Sequence, residues 1–331
     1  MDWSLVERVR EIEELYSLVS QARTGDGRVV LIEGAPGVGK TRLLTEARVR
    51  AEHEDLLVLT ARGSELERLF SFGAVRQLFE AHLGHPEARE QALAGAAAPA
   101  EVVLGAEASG PAEDVSFTTL HALYWLVLNL AERRPVLLAV DDLQWCDRAS
   151  LRFIAYLAGR LEGQPVLVAA TLRTGDQSAD PSLLGEITHA PTTVVVRPGP
   201  FSADAVSELV RERLGPNAEP EFCGACHVAT GGNPLLLGQL LSALRSEGVR
   251  PVAQSAGLVR DIGPQAVART VALRLSRLPE AATVVARAVA VLGDDADLST
   301  VTAFARSDEA TVAEAAGALA RAEILTAQQP L

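Results

Sequence analysis

The segment GAPGVGKT, residues 34–41, has the residue types and spacing of a phosphate-binding loop. It fits the pattern G-x-x-x-x-G-K-[ST] and lies between an apolar run that predicts a buried strand and a segment that predicts a helix. Glycines let the main chain curl so that its N–H groups converge on phosphate oxygens, and the start of a helix adds a favourable dipole. The residues we expect to contact a nucleotide here are Gly34, Ala35, Pro36, Gly37, Val38, Gly39, Lys40, Thr41 and Arg42.

Lys40 is the only lysine among the 30 basic residues of the chain. A composition that uses arginine everywhere else indicates that this position requires a compact ammonium on a flexible stem. We therefore predict that Lys40 reaches the β- and γ-phosphates and takes part in catalysis. The hydroxyl of Thr41 is then placed to ligate Mg²⁺.

Two further strands end in charged residues. VLLAVDDLQW delivers Asp141 and Asp142 at a carboxyl end, where open α/β sheets bind ligands. Asp141 is the expected Mg²⁺ ligand and Asp142 the expected catalytic group that orients or deprotonates the attacking water, although either acid is also a candidate helix cap. Asp147 is more typical of a cap. Arg173, at the end of VLVAATLRTGD, is a candidate for binding the γ-phosphate, the alternative being a solvated loop arginine.

The string Cys223-Gly-Ala-Cys226-His227 resembles a haem-attachment or zinc motif. Thioether attachment of haem normally requires export, a zinc site needs a second pair of ligands, and a thioredoxin-like redox pair needs a preceding βαβ start. None of these is evident in the sequence. We expect these residues to pack one helix, with neither haem nor zinc bound.

Composition and charge narrow the classes of partner. The chain has 331 residues, of which 48% are hydrophobic and 22% charged, and its formal net charge is −13. This charge opposes binding to a polyanion. The sequence shows no signal-peptide pattern and no apolar run long enough for a membrane span, so we expect a cytoplasmic location and no membrane partner.

The hydrophobic pattern divides the chain into three parts. Helical and strand-like segments alternate over residues 1–200, from a helix over 5–23 onward, which predicts an α/β domain with a parallel sheet. The Ala/Gly/Pro-rich insertion over about 92–114 is typical of a mobile surface helix and loop. Only helical periods follow, over 201–250 and over 251–331.

With these elements in place, the sequence resembles the STAND class of signal-transduction ATPases. More narrowly, it resembles the N-terminal ATPase region of the large ATP-binding LuxR-type transcriptional regulators of actinomycetes. The segments that carry the resemblance are GAPGVGKTRLL, ARGSELERLFSFGAVRQLFE, LLAVDDLQWCDRASLRFIAYLAGRL, PVLVAATLRTGD and CHVATGGNPLLL. The resemblance implies a P-loop NTPase fold of AAA-like type over 1–200, a helical lid subdomain over 201–250 and an incomplete winged-helix-like domain over 251–331.

The resemblance also assigns residues outside the phosphate loop. In such proteins the Gly-Asn-Pro turn begins a lid helix, and its proline, here Pro234, packs near adenine as a nucleotide-sensing residue. A motif before the first strand helps to enclose adenine; Leu5, Val6 and Arg8 agree with it, whereas Glu7 and Val9 replace its glycine and glutamate.

Family members continue into a winged helix with a phosphate-contacting histidine and end in a DNA-binding helix-turn-helix. Neither that histidine nor a DNA-reading helix is evident in this sequence. We expect any contact with DNA to be made by parts of a longer regulator that are absent from this chain.

Three functions are compatible with these residues. The first is an ATP/ADP switch with slow hydrolysis, in which the ATP state self-associates and ADP is held at rest. The second is a ring-forming AAA-type turnover ATPase, which fast, oligomer-stimulated hydrolysis would indicate. The third is a binding module that uses nucleotide only for structural support.

Overall fold

A five-stranded parallel sheet with the strand order β2-β3-β4-β1-β5 organises the N-terminal part of the chain, up to residue 196. The computed structural model describes residues 6–104, 116–174, 180–259, 268, 271–272, 274–293, 296–322 and 324–325. The strands are β1 (Arg28–Gly34), β2 (Leu57–Arg62), β3 (Val136–Asp141), β4 (Val166–Arg173) and β5 (Thr193–Val196). The strands β1, β3 and β4 match the three strand segments described above, and the α/β fold with a parallel sheet is confirmed.

The register of the strands brings their charged ends to one edge. Arg62 pairs with Asp141 across β2 and β3, and Gly34 pairs with Arg173 across β1 and β4. Every residue of β3 is buried, as is all of β4 except Arg173. The apolar strands are therefore fixed inside the sheet, and the first polar residues emerge together at its carboxyl edge.

Helices cover both faces of the sheet. On one face lie α1 (Val9–Arg23) and α2 (Lys40–His53), whose apolar sides share a core with β1. On the other face, one larger core joins the remaining helices of this half to the sheet. These are α3 (Gly73–Leu83), α4 (Pro86–Ala92), α5 (Glu101–Leu104), α6 (Phe117–Ala131), α7 (Arg148–Ala158) and α8 (Pro181–Thr188).

The predicted start of the first helix differs from the structure. The helix begins at Val9, and Leu5 lies outside the described residues. Within the described ranges, no helix has both the length and the apolar composition needed to cross a bilayer.

The Ala-rich insertion packs into the core, so the expectation of a mobile surface segment is wrong for its described part. Ala97 and Ala100 are fully buried, and the turn that carries them packs against α6. Asn129 of α6 donates to the carbonyl groups of Ala92 and Ala94. Small side chains allow this close approach, and the composition alone does not distinguish it from a loop. Residues 105–115 lie outside the described part of the chain.

Helices and turns, with no strand, make up the described residues after β5. The helices α9 (Ala203–Leu214), α10 (Pro220–Thr230) and α11 (Pro234–Ser246) enclose their own apolar core. A separate core joins α12 (Glu280–Leu292), α13 (Leu298–Ala305) and α14 (Glu309–Arg321). The helical C-terminal region is thus confirmed. The boundaries near 200 and 250 and the winged-helix assignment stay predictions.

The Cys-x-x-Cys-His string lies on α10, where Cys223 and Cys226 are buried in the helical core. Burial raises the pKa of Cys226 to about 12, so the thiol stays protonated at neutral pH. The turn after this helix has two glycines with positive φ, Gly231 and Gly232. The carbonyl of Gly232 accepts a hydrogen bond from the N–H of Phe201, which fixes the start of the helical region against α10.

The two glycines of this turn provide a matched pair of substitutions. Alanine at either position incurs the left-handed backbone penalty of about 1–2 kcal/mol. A Cβ at Gly232 would also lie 2.1 Å from the Phe201 carbonyl oxygen, whereas at Gly231 it would meet no atom within 4 Å. We expect Gly232→Ala to lower the free energy of unfolding by about 1–3 kcal/mol more than Gly231→Ala, because the backbone must move to accommodate it. Urea denaturation of both variants measures this difference, and equal losses would contradict the packing described here.

Candidate functional site

The phosphate-loop segment forms a curled turn between β1 and α2. Gly37 and Gly39 have φ angles of 90° and 99°, which favour glycine, and α2 begins at Lys40. A Cβ at Gly39 would meet no atom within 4 Å, whereas a Cβ at Gly37 would lie 2.6 Å from the side-chain oxygen of Asn233. One side of the loop therefore faces open space at the start of a helix, and the other side packs closely against the helical region. This geometry fits a nucleotide phosphate.

Lys40 is almost fully buried at 6% exposure, and its ammonium donates to main-chain carbonyls of its own loop. Its Nζ lies 2.7 Å from the carbonyl oxygens of both Gly34 and Ala35. The positive charge is thus held inside the turn, in reach of an anion bound by the loop. Arg42, the next basic residue, forms an ion pair with Glu46 one turn along α2.

The helical region contacts the loop through the first turn of α11. The Oδ1 of Asn233 accepts from the N–H groups of Leu235 and Leu236 and so caps this helix, as the sequence predicted. Its Nδ2 donates to the carbonyl oxygen of Pro36 at 3.0 Å, and the Leu235 N–H donates to that of Gly37 at 3.2 Å. Pro234, which the resemblance places near adenine, is half-buried between these contacts.

A second donor reaches Pro36 from the C-terminal region. Arg274 is 8% exposed, and its Nη2 lies 2.7 Å from the Pro36 carbonyl oxygen. Close by, the guanidinium of Arg277 lies 6.0 Å from the ring centroid of Trp145, in the turn after Asp142. The segment before α12 therefore contacts both halves of the candidate site.

The predicted adenine-enclosing residues take separate positions. Arg8 is 5% exposed, and its Nη2 donates to the carbonyl oxygens of Gly199 and Val38 at 2.5 and 3.4 Å. Its guanidinium also lies over the ring of Phe201. Burial lowers the pKa of Arg8, and nearby Glu side chains oppose this shift. Val6 packs against the core of the helical region.

Asp141, the last residue of β3, binds side chains of α2 and β4. Its carboxylate accepts from the Thr41 hydroxyl at 3.0 Å and from the Thr171 hydroxyl at 2.6 Å. Hydroxyl and carboxylate oxygens are the ligand types that Mg²⁺ prefers. The pair Thr41 and Asp141 therefore fits the predicted metal site.

Asp142 adopts a left-handed conformation with φ of 55°, and its carboxylate faces a cluster of donors. Arg173 binds it through two nitrogens, Nε at 2.8 Å and Nη2 at 3.1 Å. Gln144 donates at 3.1 Å, and Nη2 of Arg62 lies at 3.5 Å. The Asp142 N–H donates to the Thr171 hydroxyl at 2.7 Å, which secures the turn.

Asp147 caps α7, as the sequence predicted, by accepting from the N–H of Ser150. It also accepts from the N–H of Phe72, so it fixes the start of α3 as well.

The structure thus brings together the predicted loop residues, Asp141, Asp142 and Arg173, and it adds four residues that sequence reasoning missed. These are Arg62, Gln144, Thr171 and Arg274. Thr171 was visible as a polar residue in an otherwise apolar strand, and Arg62 as the last residue of one. Arg274 has no local signal, because only the tertiary packing brings it to the loop.

Comparison with known proteins identifies the class. Residues 4–169, half of the chain, match the family model described as AAA ATPase domain, and the chain belongs to this family. It is therefore a P-loop, nucleotide-binding ATPase of the AAA type.

One curated relative is the protein of Rhizobium meliloti (strain 1021) named Uncharacterized protein R02095. The two sequences are 27% identical in an alignment of length 355, which covers 98% of this chain and 33% of the relative. The chain thus spans about a third of the length of this relative.

Two solved structures show the level of structural likeness. The Aeropyrum pernix ORC2 protein, solved in ADPNP-ADP complexes, matches with a TM-score of 0.57 and 17% identity, over 97% of this chain and 87% of that chain. A STAND protein with a tetratricopeptide repeat sensor from Pyrococcus horikoshii matches with a TM-score of 0.45 and 15% identity, over 97% of this chain and 40% of that chain. The match to the ORC2 protein shows that this chain and that protein share a fold.

The Thr171 hydroxyl can be tested with two substitutions. Thr171→Val keeps the shape but leaves the buried Asp142 N–H without an acceptor and removes a donor from Asp141, so we expect a loss of about 1–3 kcal/mol in the free energy of unfolding. Thr171→Ser retains the hydroxyl and should retain most of the stability. Thermal or urea denaturation checks this, and a stable Thr171→Val protein would show that the hydroxyl's bonds to the Asp141 carboxylate and the Asp142 N–H do not stabilise the fold.

Proposed function

We propose that this chain is an ATP/ADP-binding switch with slow Mg-dependent hydrolysis, the regulatory ATPase part of a LuxR-type transcriptional regulator. The observation that carries the proposal is the pair of hydrogen bonds on the Pro36 carbonyl, from Asn233 of the lid and Arg274 of the C-terminal region. Two groups from outside the sheet are thus attached to the same loop that would bind phosphate. The loop is then placed to report its nucleotide to the rest of the chain.

Each residue of the site has its own role in the proposed binding and hydrolysis of nucleotide. Lys40 and the loop N–H groups bind the phosphates, and Thr41 and Asp141 would hold Mg²⁺. When bound, Mg²⁺ supplies positive charge against the developing charge on the phosphate oxygens. Asp142 orients or deprotonates the attacking water, and Arg173 recognises the γ-phosphate.

The regulatory part of the proposal rests on the sequence resemblance. Self-association in the ATP state belongs to it, as does DNA binding through parts of a longer regulator outside this chain. The proposed cytoplasmic location rests instead on the absence of a signal-peptide pattern and of a membrane-length apolar run in the sequence. The chain's span of about a third of its Rhizobium meliloti relative is consistent with an ATPase part of a longer protein. Val6, Arg8 and Pro234 are assigned to the adenine side of the site.

The nucleotide site is tested by titrating nucleotide-stripped protein with Mg-ATP and with ADP in a calorimeter. We expect the parent to bind both and Lys40→Ala to lose at least tenfold in affinity for each, because the only ammonium in the cradle is removed. Circular dichroism establishes that the variant is folded. A folded parent that binds neither nucleotide would contradict the proposal.

Measurements on the same purified proteins distinguish the proposed switch from the two alternative functions. Rapid turnover that rises with protein concentration would indicate a ring-forming ATPase. A binding module that uses nucleotide only for structural support would give a different result. Lys40→Ala would then lower the stability of the protein, and nucleotide would change neither the assembly nor the shape of the parent.

Arg274 tests the coupling between loop and C-terminal region. We expect Arg274→Ala to detach this region from Pro36 and to increase the radius of gyration measured by small-angle scattering with ADP bound. Arg287→Ala, a substitution on α12, is the control and should leave the radius unchanged. An Arg274→Ala protein as compact as the parent would show that this hydrogen bond does not hold the region in place.

A further inference from the structure

Five rings form a continuous aromatic surface along α6 and the end of α7. They belong to Phe117, His121, Tyr124 and Trp125 of α6 and to Tyr156 of α7, and neighbouring ring centroids lie 5.6–6.3 Å apart. Phe, Trp and Tyr make up only 4% of the chain, yet two of its three tyrosines and one of its three tryptophans lie here. Phe117 is 67% exposed and Trp125 is 36% exposed. Exposed rings grouped in this way are typical of a binding surface.

The core of the domain does not account for the aromatic surface. A separate apolar side anchors α6, and its buried residues are Ala122, Leu123, Leu126, Val127, Leu130 and Ala131. The aromatic residues of α6 recur at positions i, i+4, i+7 and i+8 and so share a different side of the helix, although Tyr124 also borders the core. A surface helix usually has polar residues on the side away from its core. The aromatic side of α6 therefore indicates a partner.

Hydrogen bonds among the rings determine the tautomer of His121. The indole N–H of Trp125 can only donate, and it lies 3.0 Å from His121 Nε2, which must therefore accept. In the neutral ring the proton is then on Nδ1, which lies 3.2 Å from the Tyr156 hydroxyl oxygen and donates to it. The O–H of Tyr156 thus remains available to an acceptor outside this network.

Tyr156 also lines a cavity of about 580 Å³ between α6, α7 and α8. The apolar part of the wall consists of Phe117, Leu120, Ala155, Tyr156 and Leu183, and the charged part of Arg152, Arg160 and Glu186. Within the described ranges, neither arginine forms an ion pair with a carboxylate. The guanidinium of Arg160 lies 3.7 Å from the ring centroid of Tyr156. The cavity therefore combines an apolar wall with two guanidinium groups and a phenolic donor.

The donors of the cavity select an acidic ligand that also has an apolar part. Arginine binds carboxylates through paired, charge-assisted hydrogen bonds, and the Tyr156 hydroxyl adds a neutral donor. The apolar wall is stabilised when an apolar side chain replaces water against it. The net charge of −13 does not prevent binding, because physiological salt screens exposed charges beyond about 8 Å and the two arginines are the nearest charges.

The size of the aromatic surface favours a peptide over a small molecule. Phe117 belongs to the wall of the cavity, whereas Tyr124 and Trp125 lie outside it. The helix rises by about 12 Å from Phe117 to Trp125. An extended peptide covers this distance with about four residues, whereas a small ligand in the cavity leaves the outer rings uncovered. Trp, Tyr and Arg are also the residues that contribute most to affinity at protein interfaces.

We propose that the aromatic surface and its cavity bind an acidic peptide segment of a partner protein. An aromatic or branched apolar side chain of the segment fills the cavity against Phe117. Carboxylates of the segment accept hydrogen bonds from Arg152, Arg160 and the Tyr156 hydroxyl, and the rest of the segment lies along α6 against Trp125. None of these residues belongs to the nucleotide site, so the inference goes beyond the proposed function and is independent of it.

Selection from a phage-displayed library of random short peptides tests the chemistry of the partner. The library is first depleted on the double variant Phe117→Ser/Arg152→Glu and then selected on the immobilised parent. We expect the retained peptides to be enriched in Asp and Glu beside aromatic or branched apolar residues, relative to the unselected library. Circular dichroism establishes that the double variant is folded. If it is not, Phe117→Ser/Arg160→Glu replaces it, because Arg160 is more exposed than Arg152.

Fluorescence anisotropy with the most enriched peptide, labelled with a dye, then measures the contribution of single residues. We expect Phe117→Ser and Arg152→Gln each to weaken binding about fivefold or more, as residues at the centre of an interface do. The matched controls are Phe304→Ser, which removes a ring that is 52% exposed on α13, and Arg134→Gln, which removes a surface arginine paired with Asp55. Both should bind the peptide as the parent does.

Three results of the selection would overturn the proposal. These are retained peptides rich in basic residues, peptides that bind the parent and Phe117→Ser equally well, and no enrichment over the unselected library. Sedimentation of the parent alone tests for a second copy of this chain, because an oligomer that Phe117→Ser converts to a monomer would show that another copy covers the surface. A parent that binds no nucleotide would contradict the proposed function and leave these outcomes unchanged.

Discussion

Every carbonyl group of the loop from Gly34 to Gly39 accepts a hydrogen bond, and the arrangement of the molecule depends on this constraint. A turn whose N–H groups converge on an anion directs its carbonyls outward, where each buried one requires a donor. The side chain of Lys40 donates to the first two carbonyl groups, those of Gly34 and Ala35, and N–H groups of α2 donate to the last, that of Gly39. The donors between them come from the start of α11, the C-terminal region and the segment before α1. One short turn therefore holds three distant segments in place.

The free energies of the hydrogen bonds on the phosphate loop are small enough to allow a change of conformation. A net contribution of about 1 kcal/mol is typical of one hydrogen bond. Four side-chain or main-chain donors, from Asn233, Leu235, Arg274 and Arg8, therefore contribute together a free energy of a few kcal/mol. For comparison, a free-energy difference of about 5.5 kcal/mol moves a two-state equilibrium from 1:99 to 99:1. In the proposed switch, a modest rearrangement of the loop would therefore have the magnitude needed to release α11 or the C-terminal region.

The sequence predicted the elements of the fold and the central residues of the site because both have local signals. The β-branched runs, the glycine spacing and the single lysine identify β1, the loop and Lys40 without any tertiary knowledge. The Ala-rich insertion was misread because alanine serves a close-packed interior and a flexible surface equally well. Arg62, Gln144 and Arg274 were missed for another reason: an arginine or glutamine at the end of an element is ordinary on a surface. The proximity of Arg62 to Asp142 and of Arg274 to Pro36 follows only from strand order and from the docking of the C-terminal segment, and the contact of Gln144 with Asp142 follows from the conformation of the turn after β3.

The end of β4 connects the two halves of the site. Thr171 binds Asp141 and the main chain of Asp142, Arg173 binds the Asp142 carboxylate, and the N–H of Thr174 donates to the carbonyl of Gly34. Because β4 pairs with β1 up to Gly34, a small shift at its end acts on the carboxylates and on the phosphate loop at once. A change in the partner of Arg173 would therefore act on the same main-chain turn that contacts α11. In the proposed switch, recognition of the third phosphate and the position of the helical region would be linked through this one strand.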